Sequence, residues 1–118
     1  MTILNEGANR IRDLIKSDMD NGQAGTGTAS VTVSDTGLGT AVAATNVALN
    51  NKNVSDESLT VVHIITTSLG NSSDLTEYEV RGNSNTDSYN RTVKTATSKT
   101  SRIELQIIHT FRIIIIIN

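Results

Sequence analysis

The stretch from Arg102 to Asn118 constrains the fold of this chain more than any other. From Ile103 to Ile113 the odd positions are Ile103, Leu105, Ile107, His109, Phe111 and Ile113, while Arg102, Glu104, Gln106, Ile108, Thr110 and Arg112 fill the even ones. Alternation of period two marks a β-strand with one buried and one mostly wet face. From Ile113 to Ile117 it gives way to five consecutive isoleucines. Both faces of such a β-branched run need cover, because left bare it is a template for aggregation. The expectation is burial within an assembly.

Composition agrees with a sheet that needs help. At 118 residues and 36% hydrophobic content the chain suits one domain with one modest core. Aromatics make up only 3% and tryptophan is absent, so burial falls to Ile, Val, Leu and Ala, which cover less area per residue. Association between copies, as a homo-oligomer, would supplement that core.

The net charge is −2, and the basic residues are scattered, which gives no footprint for nucleic acid. Phe111, Tyr78 and Tyr89 are too few to stack single-stranded bases. Without cysteine there are neither disulfides nor thiolate metal sites. The reading expects neither export by the usual route nor a membrane span, since no apolar run approaches the ~20 residues a helix needs to cross.

Along the chain, Leu4, Ala8, Ile11, Ile15 and Met19 recur at helical spacing, with Leu14 widening the stripe. Thr2 or Asn5 can cap this helix, and Asn21-Gly22 supplies a left-handed stop. The run 23–28, next to Gly22 and containing Gly25 and Gly27, reads as a flexible hinge. Beyond it, 29–33 reads as a short strand, 34–39 as a turn and 41–49 as irregular or a short strand. Residues 50–58 read as a polar loop, followed by a strand at 59–67 that is apolar on both faces. The run 75–81 alternates, with Tyr78 and Val80 on one side and Glu77 and Glu79 on the other. An Asn/Ser/Gly turn at 82–88 leads to a return strand at 89–96. The expected architecture is mainly β, of α+β type: an antiparallel β-sandwich or meander over 29–118, preceded by one amphipathic helix over 1–22 and a hinge at 23–28.

Chemistry-bearing residues are few. His63 and His109 fall on apolar strand faces, where a core or interface histidine is commoner than a metal ligand. The acidic run Asp18 to Gly22 misaligns with a calcium loop and reads as a helix end. Glu77 and Glu79 sit at a separation that invites a glycosidase reading, but a salt bridge from either to Arg91 explains them with less. No nucleophile elbow or phosphate loop is present, so no catalytic residue, metal or cofactor is expected. Asn53, Asn71 and Asn90 match glycan acceptor sequons, which a chain this rich in Asn, Ser and Thr produces by chance.

The succession Gly25-Thr26-Gly27-Thr28, Ser34-Asp35-Thr36-Gly37-Leu38-Gly39-Thr40, Gly70 to Glu77, Asn90-Arg91-Thr92-Val93 and Lys99-Thr100, followed by the alternating strand, resembles small structural proteins of tailed viruses of tail-fibre, baseplate or collar type. The resemblance spans roughly Gly25 to Ile113. It departs from that family after Glu77, where Tyr78-Glu79-Val80 replaces a small or apolar pair. It implies a passive, oligomeric virion component without catalytic residues, assembled in the host cytoplasm. Its partners would be copies of itself and other virion proteins, in the tail, collar or fibre-attachment region. A capsid-decorating protein, or a module binding a receptor or carbohydrate through the loops around Gly82 to Ser88, is the alternative. The expected assembly surfaces are Leu4, Ile11 and Ile15 on the helix, Val61 and Ile65 on the two-sided strand, and Ile113, Ile114, Ile115, Ile116 and Ile117 at the end. Glu77 and Arg91 are the expected structural ion pair.

Overall fold

The computed structural model describes residues 4–115, so Thr2, Ile116 and Ile117 lie outside the described residues. One helix, α1 (Asn5–Asp18), is followed by eight strands: β1 (Met19–Gly25), β2 (Ala41–Ala48), β3 (Asn51–Ser55), β4 (Ser58–Ile65), β5 (Ser73–Gly82), β6 (Asp87–Ser88), β7 (Thr92–Lys99) and β8 (Leu105–Arg112). They form two antiparallel sheets. The larger runs β2-β1-β5, with β6 and β7 both pairing the far side of β5, and the smaller runs β3-β4-β8. This is the expected α+β architecture, a sandwich with one N-terminal helix.

The sheets meet through two adjoining clusters. Met19 and Val80 of the larger sheet pack on Leu59 and Val61 of the smaller, and Ala24, Leu75 and Tyr78 pack beside Ile65. All four inward residues of β4, Leu59, Val61, His63 and Ile65, are fully buried, while Thr60, Val62 and Ile64 on its other face are half-buried. Val61 and Ile65 therefore belong to this chain's own interior. They are not assembly contacts, because a single sheet partner already covers their face.

The sequence 23–28 is not a hinge. Met19–Gly25 is the central strand of the larger sheet, hydrogen-bonded to β2 on one side and β5 on the other. The glycines serve close approach rather than flexibility. A Cβ on Gly22 would stand 2.3 Å from Cγ of His63, and one on Gly25 would stand 2.4 Å from the Thr40 carbonyl and 2.6 Å from a Glu77 oxygen.

The helix accordingly stops at Asp18, and Met19 enters the sheet with extended φ and ψ of −71° and 117° rather than a left-handed turn. Leu4 occupies the N-cap position without a side-chain bond, and Asn5 is the first helical residue. At the other end Lys52 Nζ donates to the carbonyls of Lys16 (3.0 Å) and Met19 (2.8 Å), so a cation satisfies the negative end of the helix.

Two further segments differ from expectation. The expected loop 50–58 contains β3, an edge strand whose Asn51, Asn53 and Ser55 face solvent; only its inward Lys52 and Val54 are half-buried, too few to show a pattern. The expected strand 29–33 is instead part of a strap from Thr26 to Thr40, in which Val33 is fully exposed.

Candidate functional site

The strap lies against the outer face of the larger sheet, and Glu77 holds it there. Glu77 is fully buried at the centre of β5. Its carboxylate accepts from the backbone N–H of Gly27 (2.7 Å), Gly39 (2.8 Å) and Thr40 (2.8 Å), both ends of the strap. Arg91 Nε donates to it from the segment before β7 at 2.8 Å, and Arg91 Nη1 reaches Asp35 in the strap at 3.2 Å. The predicted Glu77–Arg91 ion pair is present, with both side chains almost wholly buried.

Burial alone would raise the pKa of Glu77. The bonds from Thr40, Arg91, Gly39 and Gly27 outweigh it and hold the carboxyl below its usual range. Asp35 is lowered as well, chiefly by the Thr32 N–H and hydroxyl. Glu79, equally buried, accepts from Arg81 Nη1 and the Ser88 hydroxyl, each at 2.7 Å. The glutamate face of β5 is thus a buried polar layer. A glycosidase acid needs a raised pKa and access to a sugar. Glu77 has a lowered one and four donors already in place.

The turn 83–86 between β5 and β6, within the expected turn 82–88, is tied down in the same manner. Asn83, Ser84 and Asn85 take positive φ of 53–62°, Arg81 donates to the carbonyls of Asn85 and Thr86, and Asn85 N–H donates to Asp20 at 2.9 Å. Tyr89, 40% exposed, donates its hydroxyl to Asp18; burial and that carboxylate push its pKa up to about 12. Between Tyr89 and the strap lies an open cavity of about 430 Å³ lined by Val31, Val33, Asp35, Asn90 and Arg91.

The two histidines meet inside the sandwich. Val61 pairs with His109 and His63 with Ile107, which makes His63 and His109 diagonal neighbours on one face. His63 Nε2 lies 2.9 Å from the Thr45 carbonyl, which makes it the protonated nitrogen and leaves Nδ1 without a partner. Asn90 accepts from Val80 N–H and presents its amide NH₂ to His109 Nδ1 at 3.1 Å, so His109 carries its proton on the unpartnered Nε2. Burial pushes both pKa values down, that of His109 to about 4. Among the described residues no cluster of three or more His, Asp or Glu groups could complete a metal site. With both amide ends occupied, Asn90 is closed as a glycan acceptor, whereas Asn53 and Asn71 are exposed.

The expected assembly residues divide by position. On the helix, Arg12 is the most buried residue at 8% exposure and donates to the Ile113 carbonyl at 3.1 Å. Leu4, Ile11 and Leu14 remain 69%, 39% and 53% exposed, and only Ile15 packs on the core. The helix docks rotated away from its apolar stripe. At the C-terminal end Ile113 packs on the core, Ile114 is 50% exposed and Ile115 lines an open cavity together with Asn5 and Ala8 of the helix. Sequence reasoning found the Glu77–Arg91 pair but missed the strap that Glu77 anchors, whose bonds come from the backbone N–H groups of Gly27, Gly39 and Thr40.

No family model matches the chain, and neither the curated proteins nor the solved structures contain a significant match to it.

Proposed function

We propose that this chain is a structural subunit without catalytic activity, assembling with copies of itself and with other proteins in the particle of a tailed virus, in the tail, collar or fibre-attachment region. The placement in a virion rests on the resemblance of the turn and strand motifs. The self-assembly rests on the helix: its burial is centred on Arg12, while Leu4, Ile11 and Leu14 form an apolar row that the sandwich leaves uncovered. A buried arginine beneath exposed aliphatic side chains is the wrong way round for a helix whose only partner is its own domain. Multi-angle light scattering on the purified chain tests this: oligomers at micromolar concentration are expected, and a clean monomer under those conditions overturns it.

The cavity beside Tyr89 supports a second reading, a receptor- or carbohydrate-binding module of the virion. A half-exposed phenol ring beside Asp35 and Arg91 provides a stacking platform next to polar groups. Binding on a glycan array that Tyr89→Ala removes would favour it, and a blank array discards it.

A further inference from the structure

The smaller sheet, β3-β4-β8, has two unlike edges. On β3 the solvent face is Asn51, Asn53 and Ser55, with no apolar side chain for a partner to cover. On β8 the solvent face is Gln106, Ile108, Thr110 and Arg112, with Ile108 64% exposed at its centre, and exposed Glu104, the residue just before the strand, continues the same alternation. Among the described residues β8 pairs only with β4, and an open cavity of about 450 Å³ lies between it and β7, so its outer edge is unpaired. An exposed edge with an apolar middle and unpaired backbone groups is a ready template for another strand.

The order of side chains along this edge says which strand fits. Read toward the carboxyl end it is acid, amide, isoleucine, hydroxyl, base. With a two-fold axis through Ile108, Glu104 of one copy stands opposite Arg112 of the other, Gln106 opposite Thr110, and Ile108 opposite itself. The opposed charges favour the antiparallel alignment in this register, whereas a parallel alignment would place like charges together. On the inner face the same axis sets Leu105 opposite Phe111 and Ile107 opposite His109, which adds cover to Leu105, Ile107 and Phe111, half-buried in a single copy beside the already buried His109. Val62 is the β4 partner of Ile108, so the pairing also makes one apolar row across four strands.

We propose that two copies of this chain pair β8 to β8, antiparallel about Ile108, joining their smaller sheets into one six-stranded sheet. This deepens the reading above, on which it rests, by naming the surface and the register. Arg112 is bonded to Glu57 at 3.1 Å, with both side chains largely exposed, and in the pair it lies between Glu57 and Glu104 of the second copy. Such an interface is isologous and closes at two copies.

Charge reversal tests it. Arg112→Glu sets acid against acid at both ends of the pair, and Glu104→Arg sets base against base. Each variant alone should weaken self-association about tenfold or more, as expected for two cross-strand pairs turned from attraction to repulsion. An equimolar mixture restores an acid-base pair at both ends and should recover a one-to-one heterodimer, read by native mass spectrometry. Wild-type oligomers that neither variant weakens, or a mixture that stays as weak as its components, overturns the β8 pairing and leaves the assembly reading standing. A wild-type monomer overturns both.

Discussion

The carboxylate of Glu77 accepts four hydrogen bonds, three from backbone groups at the two ends of the strap, and the charge is what makes the arrangement stable. Protonation would turn one acceptor oxygen into a donor facing donors, and Arg91 would lose its closest counter-charge inside the protein. His109 poses the opposite problem, because it is buried neutral and resists protonation. It titrates near 4 in the fold against 6.5 when free, so between those values the unfolded chain holds the extra proton. Its contribution is whole above about 6.5 and shrinks as pH falls toward 4, by roughly 3 kcal/mol in total. His63 acts in the same direction. Glu77, whose carboxyl is depressed below 4.5, adds its loss at lower pH still. Urea unfolding should therefore show stability that is flat above pH 6.5 and falls in two stages, histidine first and carboxylate second. In His109→Gln the upper stage should shrink while the lower stage stays. Equal slopes in wild type and variant between pH 6.5 and 4 would refute the assignment.

At the scale of elements, β1 decides between the sequence reading and the fold. A glycine-rich polar run reads as a hinge because nothing in it announces a strand: its burial depends on neighbours far along the chain. Gly25 carries the contrast. In a hinge Gly25→Ala would be neutral or slightly stabilising through the unfolded chain. In the strand observed, the added methyl meets the Thr40 carbonyl at 2.4 Å and a Glu77 oxygen at 2.6 Å and should cost about 1–3 kcal/mol in a chemical melt. An unchanged melt would return the segment to its hinge reading.

The terminal strand, expected from Ile103 to Ile113 and formed over Leu105–Arg112, was legible because one face is turned to the core and the other to water, so its period is written in residue types. Both glutamates of β5 were placed on the correct side, and Glu77–Arg91 was found, since opposite charges on neighbouring strands are a local signal. What covers that side was not legible. The strap is a long-range contact, and backbone N–H groups carry no residue identity. For β3 the limit was different: its solvent face is Asn and Ser, with only Lys52 and Val54 turned inward, so no alternation rises above that of a loop.

At the scale of the molecule, the body measures 53 × 27 × 24 Å and leaves two unlike surfaces uncovered, the β8 edge of the proposed pair and the helix stripe. A self-complementary edge alone stops at a dimer, whereas a second contact elsewhere on the same chain lets dimers join into a ring or an open lattice. The helix stripe suits that second role because Ile11 and Leu14 are outside the core and their removal costs the monomer little. The double variant Ile11→Gln/Leu14→Gln should change unfolding free energy by no more than about 1 kcal/mol, the ordinary range for surface positions. If the stripe joins dimers, the variant should stop at dimers while the wild type is expected to form larger species, a difference that sedimentation velocity resolves. Loss of the dimer together with the larger species would mean that the helix, and not β8, carries the first association. Unaltered large assemblies would mean that the stripe is covered by something other than a second copy.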